Sequence, residues 1–215
     1  MHVAELWVYP VKSLAGQRLE RATLTADGIP GDRCVQVRDG DDQLVTARTR
    51  HGLLRVAATL DPASGEALVG GVPWRGAAAA AAVREVAGED ARLVAMGGPA
   101  RFDDTALLVA TDGAIAALGV DGRRLRPNLV IGGVEGLAER NWPNGRLRIG
   151  GGGAVILVEK LCKRCVIPTI DPDTLAVSPG ILARINAEFD SRYALNCWVA
   201  EPGPVAVGDA VELLA

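Results

Sequence analysis

The chain has 215 residues, 49% hydrophobic and 23% charged, with 26 glycines and a formal charge of −3 from 23 Lys+Arg against 26 Asp+Glu. That composition excludes extended disorder and leaves room for one large core or two modest lobes. With no basic excess to hold a phosphate backbone, no nucleic-acid partner is expected.

No apolar run reaches membrane-spanning length, so no membrane association is expected. The N-terminus runs from Met1 straight into an alternating segment instead of a charged-then-apolar signal, so a cytoplasmic location is expected. The cysteines at 34, 162, 165 and 197 do not make a disulfide framework in a chain this long, and a reducing compartment keeps them as thiols. With only His2 and His51 present, a His-based triad or His-rich zinc site has almost no material.

In chain order, residues 2–9 alternate imperfectly and stop at Pro10, which predicts a strand running into a loop over 10–16. Short alternating runs at 21–26, 34–38, 44–47, 53–60 and 66–69, broken by Asp-Gly, Gly-Asp and Pro-Ala-Ser-Gly turn chemistry, predict a meander or small barrel. The alanine-rich stretch 77–87 predicts a helix. From Thr105 the texture changes: a strand at 106–110, a cap at Thr111-Asp112 and a helix over 114–118, an arrangement friendly to anions.

Strands are expected next at 128–131, 146–149, 155–160 and 166–170. The four glycines at 150–153 belong to a hairpin or bulge, because no Gly-Lys-Ser/Thr and no helix follows them. Ser178 before Pro179, with Ile181, Leu182, Ile185 and Phe189 on one face, predicts a Ser-capped amphipathic helix. Strands at 197–200 and 210–214 close the chain, and the lobe boundary falls between 87 and 105.

The residues most able to carry chemistry are in Cys162-Lys163-Arg164-Cys165, where adjacent positive charge favours a thiolate over a thiol. Three readings follow: inert packing cysteines, half of a zinc site, or a functional thiolate. The zinc reading lacks partners, since Cys34 and Cys197 are isolated. A second, basic set consists of Lys12 with Ser13, Arg33 after Gly31-Asp32, and Arg126 with Asn128, residue types that bind phosphate when they converge. Asp171-Pro172-Asp173-Thr174 reads either as a turn with Asp side chains bonded to the backbone or as a pair of carboxylates able to deliver protons.

Taken in order, Leu6-Trp7-Val8-Tyr9-Pro10-Val11-Lys12-Ser13, Gly31-Asp32-Arg33, Val45-Thr46-Ala47-Arg48, Arg126-Pro127-Asn128-Leu129-Val130-Ile131, Arg164-Cys165 and Thr169-Ile170-Asp171-Pro172-Asp173-Thr174 resemble the MOSC family. The similarity is greatest to its amidoxime-reducing branch, whose members carry an N-terminal β-barrel. The resemblance implies a mixed β/α, β-rich fold: a MOSC-type β-barrel lobe with peripheral helices over 96–215 and a smaller N-terminal β lobe over 1–95, gripping a molybdenum cofactor (molybdopterin) between them.

By the same resemblance Cys165 is the molybdenum ligand and, with Asp171, the catalytic pair. Lys12, Ser13, Arg33, Thr111, Arg126, Asn128, Lys163 and Arg164 hold the cofactor. The implied reaction is reduction of a small N-hydroxylated substrate, or, alternatively, the chain carries the cofactor or relays sulfur without reducing anything. These 215 residues contain no ferredoxin-like cysteine cluster and no pyridoxal-phosphate aminotransferase half of the kind sulfurases carry. Electrons are therefore expected from a separate protein of ferredoxin or flavoprotein type. Leu175 stands where the family has glycine after Asp-Pro-Asp-Thr, and Pro168-Thr169 where it has Thr-Thr, so the substrate wall is expected to differ.

Overall fold

A computed structural model describes residues 1–214. The first strands are β1 (His2–Val8), β2 (Gln17–Leu19), β3 (Arg21–Leu24), β4 (Val35–Arg38) and β5 (Leu44–Val45). After them come β6 (Ala58–Leu60), β7 (Ala67–Val69), β8 (Val72–Pro73), helix α1 (Ala77–Ala87) and β9 (Arg92–Ala95). The second half holds β10 (Leu107–Thr111), α2 (Asp112–Leu118), β11 (Leu129–Gly132), β12 (Arg146–Ile149), β13 (Val155–Lys163), α3 (Pro179–Phe189), β14 (Arg192–Glu201), β15 (Gly203–Ala206) and β16 (Val211–Leu214).

Eight strands form one sheet in the order β16-β12-β13-β14-β10-β11-β1-β2. It curls until β1 meets the segment before β16: His2 bridges Ala210, Val3 N–H donates to Asp209 O at 2.9 Å, and Val211 N–H donates to Met1 O at 3.0 Å. That contact closes the sheet into a barrel through the start of β1, with β2 paired to the other half of β1 as the outer strand. Leu6, Leu107, Leu129, Ile131, Leu147, Ile149 and Leu195 fill the interior with side chains that are 0–1% exposed. Each such burial contributes about 1.5–3 kcal/mol.

The smaller lobe stacks the sheets β5-β4-β9 and β6-β7-β8 against α1. Its core takes Val35, Val37, Leu53, Leu54, Val69 and Val83, together with Val11 and Leu14 just after β1 and Ile167 and Ile170 just after Cys165. Two of the passages between the lobes thus carry Lys12 and Cys165. A third cluster, around Ala114, Ile185, Phe189 and Tyr193, seats α2 and α3 outside the barrel.

Three local expectations are corrected. Residues 53–60 are not one strand: His51–Arg55 is a 3₁₀ turn, which buries the adjacent Leu53 and Leu54 together, as a two-residue alternation cannot. Nor is 166–170 a strand, because Pro168 has no N–H for a ladder and Ile167–Thr169 turns as 3₁₀, with Thr169 Oγ1 donating to Val166 O at 2.7 Å. α3 begins after Ser178 with Pro179 in its first turn, but Ser178 makes no side-chain cap. The glycines after β12 do form a hairpin turn into antiparallel β13, with Gly150 and Gly152 at positive φ.

Candidate functional site

A cleft of about 460 Å³ opens where the two lobes meet. The loop after β1 brings Lys12 and Ser13 to it, the turn before β4 brings Arg33, and the segment after β5 brings Thr46 and Arg48. From the other side come Arg126 and Asn128 at the entry to β11, and Cys162, Lys163, Arg164 and Cys165 at the end of β13. The segment before β10 adds Asp103 and Asp104. Six cationic side chains therefore face two carboxylates, a local positive excess in a chain of net charge −3.

The backbone turns sharply to present these groups. Ser13, Arg33 and Arg126 all sit in the left-handed region, at φ 73°, 54° and 57°. Each costs of order 1–3 kcal/mol in a residue with a side chain, and such strain collects where geometry serves a ligand.

Tyr9 is the mount for two of the cations. Its ring carries Arg126 at 4.2 Å and Arg33 at 4.9 Å from guanidinium carbon to centroid, and its hydroxyl donates to Pro127 O at 3.2 Å. Burial pushes the Tyr9 phenol up to about 12, so both guanidinium groups rest on a neutral ring. Gly16 makes room for it, since a Cβ there would fall 2.5 Å from Tyr9 Cε1.

Arg126 donates to Leu14 O at 2.7 Å and has no carboxylate partner among the described residues. Burial, then the like charge of Arg33, pulls it down to about 10, leaving it cationic at neutral pH but poorly solvated. Arg164 is similar. Its Nη2 donates to Leu125 O at 2.9 Å and its Nη1 points at Cys162 Sγ at 3.5 Å, while its Nε is buried with no acceptor. Two guanidinium groups short of anionic partners, in one cleft beside a thiol, suit an anionic ligand with several acceptor oxygens.

Asn128 lines the cleft, and its side chain is tied into the fold at both ends. Its Oδ1 accepts Leu108 N–H at 3.1 Å and its Nδ2 donates to Trp7 O at 3.3 Å, which ties β1, β10 and β11 together at 1% exposure. Arg33 reaches the same Oδ1 at 3.4 Å and pairs with the buried Asp32.

Cys165 lies against Arg48. Although burial opposes its charge, the Cys165 sulfur and the Asp103 carboxylate raise the pKa of this guanidinium. Cys162 is half-buried and lines the same cleft, so it is not a sealed packing residue. Cys197 and Cys34 do not line the cleft, and burial pushes both thiols up. Among the described residues no three His, Cys, Asp or Glu side chains converge, so the half-zinc reading of Cys162 and Cys165 finds no further protein ligands.

Two expected site residues lie elsewhere. Thr111 is buried, caps α2 by accepting Ala114 N–H at 3.1 Å, and donates to Glu139 at 3.3 Å; its hydroxyl is committed to the helix end and does not line the cleft. Asp171 also lies off the cleft, in the turn the sequence offered as its other reading: Oδ1 accepts the N–H groups of Asp173 at 3.0 Å and Thr174 at 2.8 Å, and Oδ2 pairs with Arg124 at 2.8 Å. Conversely, Arg48, Asp103, Asp104 and Asn196 line the cleft without having been singled out as site residues. Arg48 had a signal, standing in the Thr46-Ala47-Arg48 stretch of the family resemblance. The aspartates had none.

Fold and site together define a two-lobed β protein with a cationic cleft and a thiol at its seam. The chain belongs to the MOSC domain family: the MOSC domain matches residues 99–212 and the MOSC N-terminal beta barrel domain residues 1–94. It is similar to the human protein Mitochondrial amidoxime-reducing component 1, 26% identical over 290 aligned positions that cover 99% of this chain and 82% of that protein. It also shares its fold with the crystal structure of the YUAD protein from Bacillus subtilis, at a TM-score of 0.50 and 14% identity over 99% of this chain and 94% of that one. Among the described residues no helix is long and apolar enough to cross a membrane.

Proposed function

We propose that the cleft holds the molybdenum cofactor and that the chain is a reductase of N-hydroxylated compounds, working in the cytoplasm and drawing electrons from a separate protein of ferredoxin or flavoprotein type. The observation that carries this reading is the convergence of Cys165 with Arg126 and Arg164, two guanidinium groups without carboxylate partners, one with an orphaned buried Nε. The donor set fits the group: a soft sulfur for the metal, and dispersed cations with a hydroxyl for an anionic organic ligand. Membership of the MOSC family and the likeness to an amidoxime-reducing component support the choice of chemistry.

In this reading Cys165 ligates molybdenum, while Lys12, Ser13, Arg33, Arg126, Lys163 and Arg164 hold the phosphate and pterin. When bound, the cofactor supplies the redox chemistry by which an N–OH group, two electrons and two protons become N–H and water. The protein's contribution is to fix the anion with cations held on the Tyr9 ring and to keep the thiol beside Arg48. Expression in cells that make the cofactor, followed by molybdenum per chain and amidoxime turnover with a supplied reductant, tests the proposal. Metal-free protein that also resists reconstitution would overturn it.

One observation favours the carrier reading instead. Asp171, the expected proton source, is held in a turn outside the cleft. Bound molybdenum that amidoximes and hydroxylamines never discharge, with a competent electron donor present, would decide for the carrier.

A further inference from the structure

Adjacent residues Asp103 and Asp104 reach to opposite walls of the cleft. Asp103 bridges two cations of the smaller lobe, with Oδ1 2.7 Å from Lys12 Nζ and Oδ2 2.5 Å from Arg48 Nη2. Asp104 turns to the barrel, pairing with Lys160 at 3.0 Å and accepting Asn196 Nδ2 at 2.6 Å. The segment is rooted just before them by Arg101, whose guanidinium donates to the carbonyls of Asp32, Gly98 and Asp27 and whose own carbonyl accepts Lys12 Nζ at 3.1 Å. Asp103 thus leans from a fixed base onto two of the cleft's cations.

We propose that Asp103 is a built-in competing anion that sets which ligands the cleft accepts. It occupies Lys12 and Arg48 until a ligand with enough further contacts displaces it. A tethered carboxylate acts at an effective concentration of about millimolar or more, so any anion taking those two cations works against it. The penalty is the same for every anion. A ligand that meets only Lys12 and Arg48 does not overcome it, whereas one that also reaches Arg126 and Arg164 does, so the cleft stays closed to inorganic phosphate while admitting a larger phosphorylated ligand. The Asp103 side chain is 57% exposed, so release into water is not opposed by burial. Lys12 behind it is 9% exposed and would otherwise face the cleft without a counter-charge.

The proposal rests on reading the cleft as an anion site, and its test needs no molybdenum. Inorganic phosphate is titrated calorimetrically into the cofactor-free full chain at low salt, for the parent, Asp103→Asn, Asp104→Asn and the double variant Asp103→Asn with Lys12→Ala. Asp103→Asn should bind phosphate about tenfold more tightly, the scale of one charge-assisted contact released for the ligand. Asp104→Asn, which removes a cleft charge without freeing Lys12 or Arg48, should gain clearly less than Asp103→Asn, and the double variant should lose the gain. Asp103→Ser, which lacks the charge in a smaller side chain, should give the same ordering as Asp103→Asn. Unchanged affinity in both Asp103 variants, an equal gain in Asp104→Asn, or a gain that survives Lys12→Ala overturns the proposal. A phosphate gain in a chain that never holds molybdenum would overturn the proposed function and leave this inference standing. A molybdenum-loaded chain indifferent to Asp103 would do the reverse.

Discussion

The guanidinium carbon of Arg126 lies 4.2 Å from the centroid of the Tyr9 ring, and the same side chain lines the cleft at the lobe seam. The ring holds a cation that the protein itself leaves without a carboxylate. Arg126→Ala should therefore weaken retention of the anionic cofactor by roughly 1.5–3 kcal/mol, one charge-assisted bond in a desolvated place. Arg126→Lys should fall between, keeping charge but losing the planar stack. Molybdenum remaining after extended dialysis reads both; retention equal to the parent in Arg126→Ala removes this arginine from the binding set.

Gly16 offers a test that touches no charged group. Its missing Cβ is replaced in space by the Tyr9 ring, which is 3% exposed and bonded through its hydroxyl to Pro127. Gly16→Ala should destabilise the chain by about 1–3 kcal/mol through overpacking, and should also lower anion affinity because the ring carries Arg33 and Arg126. Chemical denaturation and molybdenum remaining after extended dialysis report the two effects separately.

For the cysteine pair, Cys165→Ser should abolish amidoxime reduction and alter the molybdenum signal, since a hard oxygen replaces a soft sulfur of similar size. Cys162→Ser should keep most of the activity, since the hydrogen bonds of its sulfur go to the Lys163 carbonyl and Arg164. A dead Cys162→Ser beside an active Cys165→Ser would reverse the ligand assignment.

Asn128→Leu should unfold the chain more readily, because Leu108 N–H loses its side-chain acceptor and the space can no longer be bridged to Trp7. Stranding a buried backbone group costs about 1–3 kcal/mol. Loss of stability in the cofactor-free protein, read from the denaturation midpoint, separates this structural duty from ligand binding.

Asp171 makes acid stability depend on pH. The backbone N–H and hydroxyl of Thr174, then the N–H of Asp173 and the charge of Arg124, hold its carboxyl down at about 2. The unfolded value is about 3.9, so the carboxylate's contribution is complete above that pH and is lost as pH falls through the folded value. Asp171→Asn should flatten the stability profile between about pH 4 and about pH 2, leave neutral-pH amidoxime reduction intact, and keep the turn, since the amide oxygen still accepts both N–H groups. A collapse in turnover with unchanged stability would return Asp171 to the chemistry.

Much of the fold was legible because its signals are local. The alanine run gave α1 its bounds at Ala77–Ala87, Thr111 announced the cap of α2, and the glycines after Ile149 marked the hairpin. Where two signals competed, the local one lost. Leu53 and Leu54 looked like part of an alternating strand, but both enter the smaller core, which the 3₁₀ turn allows and a one-faced strand does not. β15 had no local signal, since Gly203 and Pro204 are poor strand formers, and only β3, some 180 residues earlier in the chain, makes them a strand.

The amino-acid sequence by itself determined the β-rich class, the family resemblance and a set of candidate cations and thiols, because composition, turn chemistry and short ordered motifs are written residue by residue. Tertiary structure alone decided which of them meet. Lys12, Arg33, Arg126, Arg164 and Cys165 share a cleft, while Thr111 is spent on a helix end and Asp171 on a turn. It also placed Asp103 between Lys12 and Arg48 and closed β1 against the segment at Ala210. Those outcomes depend on pairings between residues tens to hundreds of positions apart. Charge, burial and hydrogen-bond supply at a point in space are sums over such pairings, and no window of sequence contains them.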